Sequence, residues 1–211
     1  MEEILLYDTT LRDGTQGENI NFTALEKIKL LQRLDDIGIH YIEGGWPGSN
    51  PRDREFFELA KRTELCNSRL TAFGSTRRPG IPVHKDPNLQ ALLEAETSTV
   101  ALFGKSWDLH VTRIMENTPE ENLAMIAESV AYMKQAEREV VYDAEHFYDG
   151  FAENPDYAVE SLKAAAEAGA DAIVLCDTNG GSLPRQIEAA TRQVTDVLSL
   201  PEGVRIGIHA H

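Results

Sequence analysis

An α/β fold with a parallel sheet is the architecture this sequence predicts, and three observations predict it. Short apolar runs rich in strand-forming residues alternate with amphipathic stretches along all 211 residues. Successive runs begin roughly 30 to 40 residues apart, the length of one strand plus one helix returning to start a parallel neighbour. The polar residues capable of chemistry fall just after the apolar runs, which places them together at the carboxyl edge of such a sheet.

The strands are expected at residues 4–7, 41–44, 69–73, 99–103, 140–144, 172–176 and 204–208. The helices between them carry start and stop signals. Thr23-Ala24-Leu25-Glu26 is a capping box, followed by an apolar stripe of Leu25, Ile28, Leu31, Leu34 and Ile37 that stops at Gly38. Thr118-Pro119-Glu120-Glu121 places proline at the first helical position, with Leu123, Ile126, Val130 and Met133 on the face to be buried. Asn154-Pro155 opens another helix that closes at Gly169, and a further one follows Leu183-Pro184 and ends before Pro201. The intervals leave no linker or low-complexity break, so one domain is expected.

The strand-end residues are Arg12-Asp13, Glu43, Ser75-Thr76-Arg77-Arg78, Lys105-Ser106, Glu145-His146, Asp177-Thr178-Asn179 and His209/His211. Either a doubly wound sheet or a barrel would gather them on one edge, but a (β/α)8 barrel also brings its first and seventh strands close. That favours a TIM (β/α)8 barrel with about seven strands present. A closed barrel needs an eighth strand, so residues 1–211 are expected to be the N-terminal part of a single catalytic barrel domain, with no second domain.

The formal charge of −15 and pI near 4.8 speak against a nucleic-acid partner, which requires a clustered positive surface. Cys66 and Cys176 have no paired spacing, so neither a disulfide frame nor a thiolate zinc site is expected, and both read as small apolar residues. Met1-Glu2-Glu3 is acidic, and no apolar run approaches membrane-spanning length. A cytoplasmic protein with no membrane partner is the expectation.

Side chains two apart on a strand point the same way, so His209 and His211 can share one divalent metal, with Asp13 as a possible third ligand beside Arg12. A guanidinium at that place suits a developing oxyanion. Each feature also occurs without chemistry: His-x-His as an ordinary strand end, Arg-Asp as a surface ion pair. Asp8 reads as structural. Arg77-Arg78 could meet an anionic phosphate or form an exposed loop pair. His40, His84, His110 and His146 are assigned no metal, although His146 is near enough to Glu145 to join the rim. Trp46 and Trp107 read as loop-packing residues.

Thr10-Leu11-Arg12-Asp13-Gly14-x-Gln16, Ile42-Glu43-Gly44-Gly45, Asp177-Thr178-Asn179-Gly180 and His209-x-His211, in that order after strands one, two, six and seven, resemble the DRE-TIM metallolyase superfamily. That group includes isopropylmalate, homocitrate and citramalate synthases and hydroxymethylglutaryl-CoA lyase. The segments Tyr41–Asn50, Ala72–Arg78 and Phe103–Asp108 are similar to its citramalate synthase branch. The resemblance implies an acyltransferase joining acetyl-CoA to the 2-keto acid pyruvate, with thioester hydrolysis, in isoleucine and branched-chain amino-acid biosynthesis. It implies Asp13, His209 and His211 as ligands of Mg²⁺, Mn²⁺ or Zn²⁺, Arg12 as the group neutralising the keto oxygen, and Glu43 as its orienting partner. It implies Glu145 near the reacting carbons, Thr178 on the keto acid's carboxylate, and Gln16 lining the same pocket. Glu43 could instead be scaffold, and Glu145 could position water or substrate rather than act as base.

The family also implies a homodimer in the full-length protein, a metal-binding asparagine after the eighth strand, and catalytic histidine and tyrosine residues in later subdomains. Isopropylmalate or homocitrate synthesis, hydroxymethylglutaryl-CoA cleavage, and a metal-binding or assembly module without turnover stand as the other readings.

Overall fold

The computed structural model describes residues 4–211; Met1-Glu2-Glu3 lies outside them. Seven strands form one sheet in chain order: β1 (Tyr7–Asp8), β2 (Tyr41–Gly45), β3 (Arg69–Ser75), β4 (Thr99–Lys105), β5 (Glu139–Glu145), β6 (Ala172–Asp177) and β7 (Arg205–Ala210). β1 runs parallel to β2, and β2 to β3; β5 runs parallel to β6, and β6 to β7. The helices are α1 (Ala24–Asp36), α2 (Pro51–Ala60), α3 (Pro87–Glu94), α4 (Pro119–Gln135), α5 (Phe147–Glu153), α6 (Pro155–Glu167) and α7 (Pro184–Val197). This is the strand and helix order of a TIM (β/α)8 barrel over its first seven strands.

Most strands run a residue or two further toward their carboxyl ends than the apolar runs suggest. β1 likewise ends one residue later, at Asp8, but it starts late, because residues 4–6 are not strand: the Leu6 N–H bonds the His40 ring at 3.0 Å, and Ile4 and Leu6 are exposed. α1, α4, α6 and α7 begin at their expected caps. α2, α3 and α5 were not marked by the apolar pattern, although Asn50 before Pro51 caps α2 by accepting from the Asp53 N–H at 2.9 Å.

The chain forms two compact units. The first comprises the residues up to Gly74 with Pro87–Ala101, and packs Leu11, Leu31, Ile42, Phe56, Phe57, Leu89 and Leu92 into its interior. The second comprises Ser75–Asp86 and Leu102–His211, around Leu102, Met125, Ile126, Val130, Tyr142, Phe147, Leu162 and Ile173. No helix among the described residues is long and apolar enough to cross a membrane.

The face α1 buries is rotated from the expected stripe. Ala24, Lys27, Leu31 and Asp35 are buried, while Leu25 and Ile37 are exposed. Two charges explain the rotation. The Lys27 ammonium donates to the Asp53 carboxylate at 2.7 Å and to the Gly44 carbonyl at 3.0 Å, tying α1 and α2 to the end of β2. Burial pushes the Lys27 ammonium below the ordinary lysine range, with Asp53 acting against that. Asp53 also accepts from the Trp46 N–H at 3.0 Å, and Gly45, with φ of 151°, leaves it room: a Cβ there would lie 2.8 Å from that carboxylate.

Asp35 closes the other end of α1. Its carboxylate accepts from the backbone N–H groups of Cys66, Asn67 and Ser68 at 2.9, 2.8 and 2.7 Å. Cys66 is thereby held at the surface, exposed and not in the core.

Two substitutions test these ties by urea denaturation. Lys27→Met leaves Asp53 buried without its cation and should cost about 3 kcal/mol. Asp35→Ala orphans three N–H groups and should cost about 3 kcal/mol. Burial acts to raise the Asp35 carboxyl, but its backbone donors outweigh it and hold the group below the usual carboxylate range. Its stabilisation is therefore present above the unfolded value near about pH 4 and is lost as pH falls through the native one. The Asp35→Ala deficit should accordingly shrink in acid; a deficit constant down to about pH 2 would refute this account.

Candidate functional site

The loop after β1 is wound tightly by one acceptor: the Thr9 carbonyl takes the N–H groups of Arg12, Asp13 and Gly14 at 3.1, 2.8 and 3.2 Å. Asp8 serves the same turn, accepting from the Thr10 N–H at 2.9 Å, the structural role expected of it. A one-turn 3-10 helix, Gly14–Gln16, then leaves Gln16 exposed.

Arg12 is clamped on three sides. Its Nε donates to Glu43 Oε1 at 2.5 Å, its Nη1 donates to Asp13 Oδ1 at 3.0 Å, and its guanidinium carbon sits 3.9 Å from the centre of the Phe73 ring. Glu43 is fully buried on β2, and its other oxygen accepts from the Tyr7 hydroxyl at 2.7 Å. Burial pushes the Glu43 carboxyl above the ordinary glutamate range, opposed by the Arg12 charge and the Tyr7 hydrogen bond. Neither Tyr7 nor Phe73 stood out in the sequence as part of this group, since both read as strand residues filling a core.

The second unit holds the remaining residues. His209 and His211 project from the end of β7 with ring centres 4.6 Å apart. His211 Nδ1 lies 2.9 Å from the Thr178 carbonyl, which acts only as an acceptor, so the ring donates there. The Thr178 hydroxyl oxygen accepts from the His146 N–H at 2.9 Å, which leaves its own proton to donate. Glu145, at the end of β5, forms an ion pair with Lys105 at the end of β4. Lys105 is held in turn by Asn122, whose side-chain amide donates to the Lys105 carbonyl at 2.8 Å.

His146 follows Glu145 with φ of 55° and ψ of 35°, a left-handed conformation uncommon outside glycine. Its Nδ1 lies 3.1 Å from Asp149 Oδ2, which also accepts from the Asn179 amide at 2.9 Å. The His110 ring packs edge-on against it at 4.4 Å, and Trp107 lies 4.6 Å from His110. Burial, then the neighbouring His146 and Lys105, push the His110 imidazole below its ordinary range. A cavity of about 610 Å³ opens beside Asp149, Asn179, Trp107, Ser182 and Gln186; Glu145, Thr178, His209 and His211 do not line it.

The structure thus groups Arg12, Asp13 and Glu43 in the first unit and Thr178, His209 and His211 in the second, with Glu145 beside Lys105. Arg77 matches neither reading given to it. It is buried, with its guanidinium on Glu121 and Glu128 at 2.8 and 2.7 Å, while Arg78 is exposed. The indole N–H of Trp46 donates to Asn88 on α3 and that of Trp107 to Glu153 on α5, and Trp107 also lines the cavity.

Comparison with known proteins gives this geometry a context. The chain is 53% identical over 210 residues to an (R)-citramalate synthase of Aquifex aeolicus (strain VF5), an overlap covering 100% of the chain and 39% of that relative. It is 51% identical over 211 residues to an (R)-citramalate synthase of Geobacter sulfurreducens, again 100% of the chain and 39% of the relative. The chain therefore spans about two fifths of the length of the curated relatives it matches. In fold it superposes on the HMG-CoA lyase of Bacillus subtilis with a TM-score of 0.78 at 19% identity, over 99% of this chain and 68% of that one. The model of the HMGL-like family matches residues 3–211, and the chain belongs to that family, the DRE-TIM group its motifs resemble.

Proposed function

We propose that this chain is the acceptor-binding part of an (R)-citramalate synthase, which joins the methyl carbon of acetyl-CoA to the keto carbon of pyruvate and hydrolyses the thioester. The observation that carries this reading is the identity above 50% to (R)-citramalate synthases over the whole chain.

In this reading Asp13, His209 and His211 hold a divalent metal. The donor set fits one: a carboxylate and two imidazoles suit Mn²⁺, Zn²⁺ or, less readily, Mg²⁺, and the Thr178 carbonyl fixes the His211 ring as ligating histidines are commonly fixed. When bound, such an ion supplies Lewis-acid polarisation of the keto group. The chain's own residues do the rest. Arg12 directs N–H donors at the oxygen on which negative charge grows, and Glu43 with Phe73 keeps the guanidinium from turning away. The Thr178 hydroxyl donates to the keto acid's carboxylate, and Gln16 offers its amide to the same pocket.

Glu145 is the candidate to take the methyl proton from acetyl-CoA. The resulting carbanion forms the new carbon–carbon bond, the alkoxide is protonated, and water then displaces CoA as the thiol. The ion pair with Lys105 fixes the position of the Glu145 carboxylate at the end of β5. A homodimeric, cytoplasmic enzyme of branched-chain amino-acid biosynthesis belongs to the same proposal.

Two measurements test it. Mn²⁺ binding followed by electron paramagnetic resonance should be seen with this chain and lost in Asp13→Ala and in His211→Ala; unchanged binding in both would remove the metal assignment. For activity, the chain should replace the matching segment of the Aquifex aeolicus relative. The chimera should release CoA from acetyl-CoA in the presence of pyruvate, and Arg12→Lys, which loses the fork geometry, should lower kcat by about 100-fold. Release driven by 2-oxoisovalerate or 2-oxoglutarate in place of pyruvate would reassign the acceptor.

A further inference from the structure

Asp143, Cys176 and His209 come from three adjacent strands, β5, β6 and β7, and each offers a ligand atom within 4.8 Å of the other two. The register explains why they meet. Cys176 stands opposite His209 across β6 and β7, and Asp143 stands opposite Val174, two residues before Cys176. Residues two apart on a strand share a face, so all three side chains leave the sheet on the same side. Asp143 and Cys176 are 8% and 5% exposed, so the carboxylate and the sulfur are held by packed strands and not by mobile loops.

The geometry points to a second metal site, composed of Asp143, Cys176 and His209, that takes a thiophilic divalent ion such as Zn²⁺ or Co²⁺. A sulfur, an imidazole and a carboxylate supply three ligands of a tetrahedral ion and leave the fourth position open. Ligand atoms around such an ion stand about 3.5 Å apart, so closure from within 4.8 Å asks for side-chain rotation and no strand movement. The thiol proton leaves as the sulfur binds. A hard ion such as Mg²⁺ gains nothing from the sulfur, so the site selects by ligand softness.

His209 belongs both to this group and to the set proposed for the keto-acid metal. An ion seated on Cys176 therefore withdraws one imidazole from that other set, and the two sites compete. This inference rests on the arrangement of β5, β6 and β7 and does not need the citramalate reading.

Cobalt(II) reports it without any turnover. Cys66 is the other thiol of the chain and is exposed, so the experiment uses a Cys66→Ala background. Anaerobic titration with Co²⁺ should produce a thiolate-to-cobalt charge-transfer absorption that saturates at one ion per chain and is displaced by Zn²⁺. Asp13→Asn should keep the band, since the Asp13, His209 and His211 set contains no sulfur. Cys176→Ser should abolish it, and Asp143→Asn should weaken cobalt affinity by about tenfold or more. No band at saturating Co²⁺ in the Cys66→Ala protein would overturn the proposal, whether or not the Cys176→Ser chain folds. A band that survives Cys176→Ser would overturn it as well. If Asp143→Asn lowers cobalt affinity while no thiolate band ever appears, Asp143 merely orients the His209 ring and the sulfur site does not exist.

Discussion

A carboxylate with no access to water has to be answered by donors, and Glu43 is the one around which the first unit is arranged. It is completely buried on β2, and it is answered by the Tyr7 hydroxyl from β1 and by Arg12 from the loop that follows β1. Both donors must be in place together, because losing either leaves a polar group in a low-dielectric surround at a cost of about 1–3 kcal/mol. The tight winding of residues 9–14 on the Thr9 carbonyl is what brings Arg12 there. The clasp therefore fixes a guanidinium and its neighbouring Asp13 in one geometry before any substrate is present.

That clasp has a support of its own. β2 carries Glu43, and its register against β3 shifts between Glu43 and Gly45. A shift of this kind bends a strand and re-aims its side chains. Lys27 and Asp53 stand behind the bend, the lysine bonded to the Gly44 carbonyl and the aspartate to the Trp46 N–H. Phe56 closes the remaining space so fully that a Cβ on Gly44 would lie 2.4 Å from its ring. An irregular strand end aimed at the site is thus braced by a buried ion pair and by an aromatic ring.

Much of this was legible in the sequence because it follows from spacing. Strand starts at regular intervals, caps such as Thr23 and Thr118, and prolines at first helical positions are local signals, and they located seven strands and the starts of four helices. Arg12, Asp13, Glu145, Thr178, His209 and His211 could be picked out because polar residues directly after apolar runs fall at strand ends. What could not be read was which partner each would meet. Lys27 looks like a surface lysine beside a leucine stripe, yet it is buried because Asp53, distant in sequence, requires its charge. Tyr7 and Phe73 read as core aromatics, and only the fold shows them against Glu43 and Arg12. Lys105 was visible as a strand-end cation, but its pairing with Glu145 depends on the packing of β4 against a neighbour 40 residues later. Helix α5 escaped notice because its seven residues are too few to show a period.

The left-handed backbone of His146 has a consequence for how this position is constrained in evolution. Glycine adopts φ near 55° with little steric cost, whereas a residue with a Cβ is strained there by about 1 kcal/mol. The strain falls on a residue whose imidazole is engaged by both Asp149 and the His110 ring. Related chains that keep the imidazole and the Asp149 carboxylate together, or lose both at once, would mark the pair as a single inherited unit rather than two independent loop residues.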